Sequence, residues 1–251
     1  MMNLAALNAL VQYGRGKAAS VLGQVYDVYR LGPTVSGQIV SGTPAISGFP
    51  ASLTHWTNAQ DVENNPLGAL TFAATCTNLA LEIGDIFVGY SYGSDGAMYV
   101  VADLRPLKQT MLVRCEQSST ITRPTAPADL VALNPNGPTD IGVYNVVTKE
   151  TEQSLVLTNG SYTFATSGTA AMVPFGLQPL NKLREYPESK LPTDTRRQGF
   201  IGYLPLLPGV IIQENDVISS GSAGDRYRIE QIYIAEFGLQ GQILLLSKLI
   251  V

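Results

Sequence analysis

Apolar residues recur at the three-to-four-residue spacing of a helix only near the start of the chain. Over residues 3–22, Leu4, Leu7, Leu10 and Val11 form one stripe, Asn3 can cap the segment and Gly23 can end it, so a helix is predicted. Gly14 and Gly16 weaken its middle. A stripe this narrow on a terminal helix predicts docking on the chain's own domain, with docking on a neighbouring subunit as the alternative. From Gln24 to Arg30 the period drops to two, the signature of a strand. Leu31 to Gln60 then contains no Lys, Arg, Asp or Glu and is punctuated by Gly, Ser, Thr and Pro. That run excludes a helix and predicts either short strands or an extended arm laid along another surface. Leu67 to Ile83 is a second apolar stretch that fits strand or helix, with strand preferred.

One arrangement occurs twice. An acidic residue opens a short apolar strand, a Gly/Ser turn follows, a tyrosine restarts the chain and a long alternating strand closes it. The first copy runs through Gly84-Asp85-Ile86-Phe87-Val88, the turn Ser91 to Gly96, Tyr99-Val100-Val101 and Thr110 to Cys115. The second runs through Asn215-Asp216-Val217-Ile218, the turn Ser219 to Gly224, Tyr227-Arg228-Ile229 and Gly241 to Ser247. Between them, Pro124, Pro127, Pro135 and Pro138 mark a connector, and Ile141 to Val147 with Ser154 to Thr166 resembles a hairpin turning at Asn159-Gly160. Prolines 174, 179, 187, 192, 205 and 208 break up the next segment.

These elements predict a mainly β protein, with small antiparallel barrel or sandwich units, one N-terminal helix and long irregular crossing segments. The expected organisation is a helix over 1–23, a first β region over 24–123 with an uncharged arm at 31–60, a Pro-rich connector with a hairpin insertion over 124–204, and a second β unit over 205–251. The two β units are expected either to share one sheet system or to close into separate small barrels.

Charge sharpens this picture. Only 14% of the 251 residues are charged, against roughly a quarter in ordinary soluble domains. A surface so poor in charge is expected to be covered by neighbouring subunits; the alternative is a monomer with a Ser/Thr/Asn/Gln surface. The net charge of −4 is spread evenly, with 7 basic and 8 acidic residues in 1–125 and 9 and 12 in 126–251. No basic half is available to neutralise phosphates, which argues against a nucleic-acid partner. The cluster Lys182, Arg184, Lys190, Arg196 and Arg197 is interleaved with Glu185, Glu188 and Asp194 and reads as a solvated, mutually paired surface. No signal peptide and no membrane span are expected.

Candidate chemistry is sparse. The single histidine, His55, sits beside the single tryptophan, Trp56, inside the uncharged run and has no carboxylate near it in sequence. One histidine leaves no local set of zinc ligands. Cys76 and Cys115 lie in apolar runs and are expected to be buried free thiols. Asp85 and Asp216 are the tempting carboxylate pair for glycoside hydrolysis, but an acidic residue before an apolar strand commonly accepts backbone hydrogen bonds in a turn. Tyr26, Tyr29, Tyr90, Tyr92, Tyr99, Tyr227 and Tyr233 lie in or beside strands and suit half-buried β surfaces and interfaces. No catalytic, cofactor-binding or metal-ligating residue is assigned, no cofactor is expected, and the protein is expected not to be an enzyme.

Two places carry a family resemblance. The helix running into Val21-Leu22-Gly23-Gln24-Val25-Tyr26-Asp27-Val28-Tyr29-Arg30 resembles the openings of uncharacterised phage tail-module proteins. The end, from Leu204-Pro205-Leu206-Leu207-Pro208-Gly209-Val210 through Asn215-Asp216-Val217-Ile218 and Asp225-Arg226-Tyr227-Arg228-Ile229 to Gly241-Gln242-Ile243-Leu244-Leu245, is similar to the β endings of such proteins and of head-closure proteins. These segments cover about a quarter to a third of the chain as a loose texture. The resemblance, to structural proteins of tailed bacteriophage virions, implies a ring in the tail or baseplate that joins the tube to surrounding components. A head–tail connector in the neck is the alternative. The partners implied are copies of the chain and neighbouring virion proteins, located in a virion assembled in the host cytoplasm. The competing expectation, from a different class, is a glycan-binding or glycan-hydrolysing β protein that uses Trp56 and surface tyrosines as a platform.

Overall fold

A computed structural model describes residues 3–30, 43–56, 67–89, 98–105, 107–115, 118–125, 151–158, 161–179, 199–220, 225–234 and 239–249. The chain is mainly β. The one long helix among the described residues, α1, spans Leu4–Leu22; the Asn3 side chain accepts from the Ala6 N–H at 2.8 Å, and the Gly23 N–H closes the far end on Ala19 at 2.8 Å. The helix docks with its polar side. Asn8 accepts from the Leu107 N–H, Gln12 accepts from the Asn78 N–H at 3.0 Å, and Arg15 donates to the carbonyls of Leu107 and Lys108. Buried Gln12 and Ala19 form the contact face, so of the expected stripe only Leu7 and Val11 are half-buried, while Leu4 and Leu10 are exposed. Orphan backbone groups in two turns outcompete the leucines for the docking face. No described helix is long and apolar enough to cross a membrane.

The first unit is a closed six-stranded antiparallel barrel. Its strands are β1 (Gln24–Tyr29), β2 (Ile46–His55), β3 (Thr71–Thr75, after a 3-10 turn at Gly68–Leu70), β4 (Ile86–Gly89), β5 (Met98–Asp103) and β6 (Thr110–Cys115), in the order β1-β2-β3-β6-β5-β4. Val28, Ala51, Ala74, Cys76, Leu81, Phe87, Val101 and Leu112 fill its interior. Alternation inside and outside each strand places these side chains together. The arm expected over 31–60 therefore contains a barrel wall: Ile46–His55 is β2, with Phe49 and Ala51 buried. Residues 31–42 and 57–60 lie outside the described residues.

The remaining strands form a nine-stranded sheet. They are β7 (Ser118–Thr125), β8 (Thr151–Thr158), β9 (Ser161–Ala165), β10 (Val173–Pro174), β11 (Gly176–Pro179), β12 (Gly199–Leu204), β13 (Val217–Ser220), β14 (Asp225–Ile234) and β15 (Gln242–Leu249), ordered β11-β12-β15-β14-β13-β7-β8-β9 with β10 on β7. The hairpin around Asn159-Gly160 is β8–β9, pairing Thr158 with Ser161. Its first strand is thus Thr151–Thr158; Ile141 to Val147, the strand expected there, lies outside the described residues, as do 124–150 beyond Thr125. β7, which sequence places at the end of the first β region, pairs with β13 of this sheet.

β10 and β11 are separated only by Phe175, yet β10 pairs with β7 and β11 pairs with β12. Through that bend the second sheet comes round on itself and encloses Ile121, Phe175, Leu204, Ile212, Ile218, Ile229 and Leu246. The circuit β7-(β10/β11)-β12-β15-β14-β13 reproduces the first barrel in register. Pro50 pairs with Val25 where Pro174 pairs with Ser118, and Leu53 pairs with Ala74 where Leu177 pairs with Gly202. Phe72 pairs with Leu112 where Phe200 pairs with Leu246. Even the bulges agree: Ala102 is skipped between Val101 and Asp103, and Glu230 between Ile229 and Gln231. The chain is a tandem duplication of one barrel, and β8–β9 is an insertion in the second copy.

The copies pack through the outer face of the first. Ile86, Met98, Val100, Ala102, Met111 and Val113 meet Ile201, Tyr203, Leu239 and Ile243 in one apolar cluster. The Gln240 N–H donates to Ala102 at 2.7 Å and the Tyr203 hydroxyl donates to the Gln240 carbonyl at 2.7 Å.

Candidate functional site: two Asp–Arg turns and the junction cleft

The duplicated acidic residues occupy equivalent turns. Gly84, at φ +91°, and Asn215, at φ +73°, take the left-handed conformation that glycine tolerates and asparagine adopts more readily than most residues. This reverses the chain so that the next residue's carboxylate folds back. Asp85 Oδ2 accepts from the Glu82 N–H at 2.8 Å, and Asp216 Oδ2 from the Gln213 N–H at 2.8 Å. The backbone of each turn is clamped to the neighbouring strand: Gly84 N–H to Val101 and Val101 N–H to Asp85, both 2.8 Å, against Asn215 N–H to Ile229 at 2.8 Å and Ile229 N–H to Asp216 at 2.9 Å.

An arginine reaches each turn from the strand beside it. Arg30 follows β1 and donates to Asp85 at 3.2 Å and to the Ala80 carbonyl at 3.1 Å. Arg123 in β7 grips Asp216 with two bonds, 2.7 Å from Nε and 2.8 Å from Nη2, and donates to the Ile211 carbonyl at 2.9 Å. The register accounts for both: Tyr29 pairs with Ile86 and Thr122 with Val217, so each arginine lies one residue beyond the pair and meets the aspartate. Both carboxylates are buried. Burial pushes the Asp85 carboxyl above the ordinary aspartate range, with the Glu82 charge adding to it, against the opposing pull of the Glu82 N–H and Arg30.

Each aspartate is bound within its own barrel to its own arginine, as a turn fastener. Both are buried and already engaged on an arginine and a backbone N–H, an arrangement that fixes a turn. The other candidates are placed as follows. His55 is exposed at the end of β2, its ring 4.4 Å from Phe72. The Trp56 backbone N–H donates to the Thr71 carbonyl at 3.0 Å, and its side chain rests half-buried on the junction cluster. Cys76 and Cys115 are buried free thiols; burial pushes Cys76 up to about 11 and raises Cys115 as well, so both stay protonated and poorly nucleophilic near neutral pH. Tyr26 is pushed up to about 12 by burial and then by Tyr99. Tyr99 packs edge-on against Phe72 at 5.2 Å and its counterpart Tyr227 against Phe200 at 5.1 Å. Tyr29 and Tyr233 are half-buried, whereas Tyr90, Tyr92 and the basic cluster from Lys182 to Arg197 lie outside the described residues. No group of three or more metal-ligating side chains occurs among the described residues.

One cleft of about 250 Å³ opens where the copies meet, lined by Ile83, Gly84, Tyr203, Pro205, Leu206, Leu207, Pro208 and Gln240. The Tyr203 hydroxyl is engaged on Gln240 and its acidity is further suppressed by burial, so no lining group is poised to exchange protons near neutral pH. The cleft can hold an apolar group by shape. Sequence reasoning missed it because it exists only once the two copies stack; the uncharged Leu204 to Pro208 segment was its one visible signal. Arg30 and Arg123 were missed too, although each ends a strand of the repeat. No family model, no curated protein and no solved structure matches the chain.

Proposed function

We propose that the chain is a non-enzymatic structural protein of a tailed-phage virion, part of a ring in the tail or baseplate that joins the tail tube to surrounding components. The observation that carries this reading is the tandem of barrels fused through one apolar cluster. Such a body is rigid and suits a joint. The low charge content supports coverage by neighbours, and Asp85, Asp216, Arg30, Arg123 and Arg15 are engaged on fastening turns and docking the helix. The resemblance of the chain's opening and ending to phage tail proteins supplies the assembly. A neck connector is the variant within the same class. The glycan reading draws less support, because Trp56 rests against the junction cluster and the strand tyrosines Tyr26, Tyr99 and Tyr227 pack in the cores. Mass photometry and negative-stain microscopy of the purified chain with the products of its neighbouring genes test the proposal. Rings or a ring-bearing complex are expected; a chain that stays monomeric with those partners and binds or cleaves glycan overturns it.

A further inference from the structure

Surface helices normally turn their apolar side inward, but of the large apolar residues of α1 only Leu7 and Val11 are half-buried and the rest are exposed. Asn8, Gln12, Arg15 and Ala19 face the barrel, while Ala6, Leu10, Tyr13, Gly14, Lys17 and Val21 face solvent. Leu10 is 60% exposed, Tyr13 65% and Val21 79%. The positions 6, 10, 13, 17 and 21 advance by fours and a three, close to the seam spacing of a helix pair. No charged side chain precedes Arg15 in the chain, and Arg15 is engaged on the Leu107–Lys108 turn, so Lys17 is the single charge on the stripe.

We propose that α1 pairs antiparallel with α1 of a second copy, about a two-fold axis passing between Tyr13 and Gly14. The stripe is complementary to itself in that register. Tyr13 covers Gly14 of the other copy, where a Cβ would have nothing within 4 Å; Leu10 lies on the methylene stem of Lys17; Ala6 lies opposite Val21. A parallel pair would set Lys17 against Lys17 and Tyr13 against Tyr13. A lipid surface fits poorly, because a helix lying on lipid keeps a basic face toward water, and here the polar face is turned into the barrel. An interface confined to one helix pair falls below the roughly 800 Å² per partner of a stable complex, so a weak, reversible dimer is expected.

The test uses the full chain in sedimentation velocity across a wide concentration range. Concentration-dependent dimers are expected, and Leu10→Glu or Val21→Glu should return the chain to monomer with its melting temperature unchanged, since both side chains are exposed. Register is read by mild oxidation: Gly14→Cys lies at the axis and should cross-link between chains. Leu4→Cys should not, because antiparallel helices hold that pair about 28 Å apart at 1.5 Å per residue. A chain that is monomeric throughout, a dimer indifferent to Leu10→Glu, or ready cross-linking through Leu4→Cys each overturns the proposal. Rings that form with virion partners but ignore Leu10→Glu would overturn this contact and leave the virion reading standing.

Discussion

In the first barrel Met98, Val100, Ala102 and Val113 face outward and are covered by the second barrel. The register equivalents in the second barrel are Arg226, Arg228, Glu230 and Ser247, and there the Ser247 hydroxyl donates to Glu230 while Arg226 pairs with Glu152 of the inserted hairpin. One fold position is thus apolar in the first copy, where the second copy covers it, and polar in the second. The stacking that joins copy one to copy two cannot be repeated on this polar face without burying charge. The interiors diverge differently. Phe49, Ala51 and Ala74 of the first copy become Val173, Phe175 and Gly202 in the second, so the large ring shifts two residues along the strand and a glycine makes room for it. Apolar character is kept, and the position that carries the ring changes.

The fasteners break the comparison most severely. The Arg123 side chain is 24% exposed, holds Asp216 with two bonds and stacks 3.9 Å from the Phe164 ring of the inserted hairpin. The Arg30 side chain is 38% exposed and shares itself between Asp85 and the open Glu82. Removing Arg123 leaves a buried carboxylate without its cation, so Arg123→Met should cost about 3 kcal/mol in urea unfolding. Arg30→Met should cost about 1 kcal/mol, because solvent already screens that pair. Equal costs would show that exposure does not separate the two staples.

The exchanged ring comes next. A Cβ on Gly202 would lie 2.6 Å from Phe175 and 2.9 Å from Leu246, so Gly202→Ala should destabilise by about 1–3 kcal/mol through overpacking. Alanine already stands at the equivalent Ala74, where Ala51 replaces the ring. Adding Phe175→Leu should therefore recover part of the loss caused by Gly202→Ala, and strict additivity in the double-mutant cycle would sink the idea that the two residues are exchanged as a unit.

How far the sequence carried this picture depends on which forces are local. Capping by Asn3, the strand alternation and the repeat around Asp85 and Asp216 depend on neighbours in the chain, and all were legible. The closure of the second barrel was not, because Val173-Pro174-Phe175-Gly176-Leu177 carries the break of Pro174 inside a strand whose two halves pair with different partners. The lack of charge left short strands and an arm both open for 31–60, and Ile46–His55 is a strand that buries Phe49 and Ala51. The docking side of α1 was likewise hidden, since Asn8, Gln12 and Arg15 answer backbone groups nearly a hundred residues away in the case of Leu107. For the acidic residues, spacing alone could not distinguish a fastener from a hydrolytic pair; the arginines opposite them decide it.

The smallest effect tests whether the first fastener carries a net cost. Burial raises the Asp85 carboxyl above its unfolded value, so the folded chain binds this proton more tightly than the unfolded one. Such a group adds stability while protonated, at low pH, and that contribution drains away as pH climbs from the ordinary aspartate range near 4 through the raised folded value. Asp85→Asn keeps an acceptor for the Glu82 N–H but cannot titrate. The stability of Asp85→Asn relative to the natural chain should therefore rise with pH from about 4 upward and then level off, measured by urea midpoints at a series of pH values. A relative stability that falls over that window would mean that Arg30 outweighs burial and holds the carboxyl below its ordinary range. The looser of the two staples would then stabilise as an ion pair in its own right, and the contrast in exposure between Arg30 and Arg123 would lose its energetic meaning.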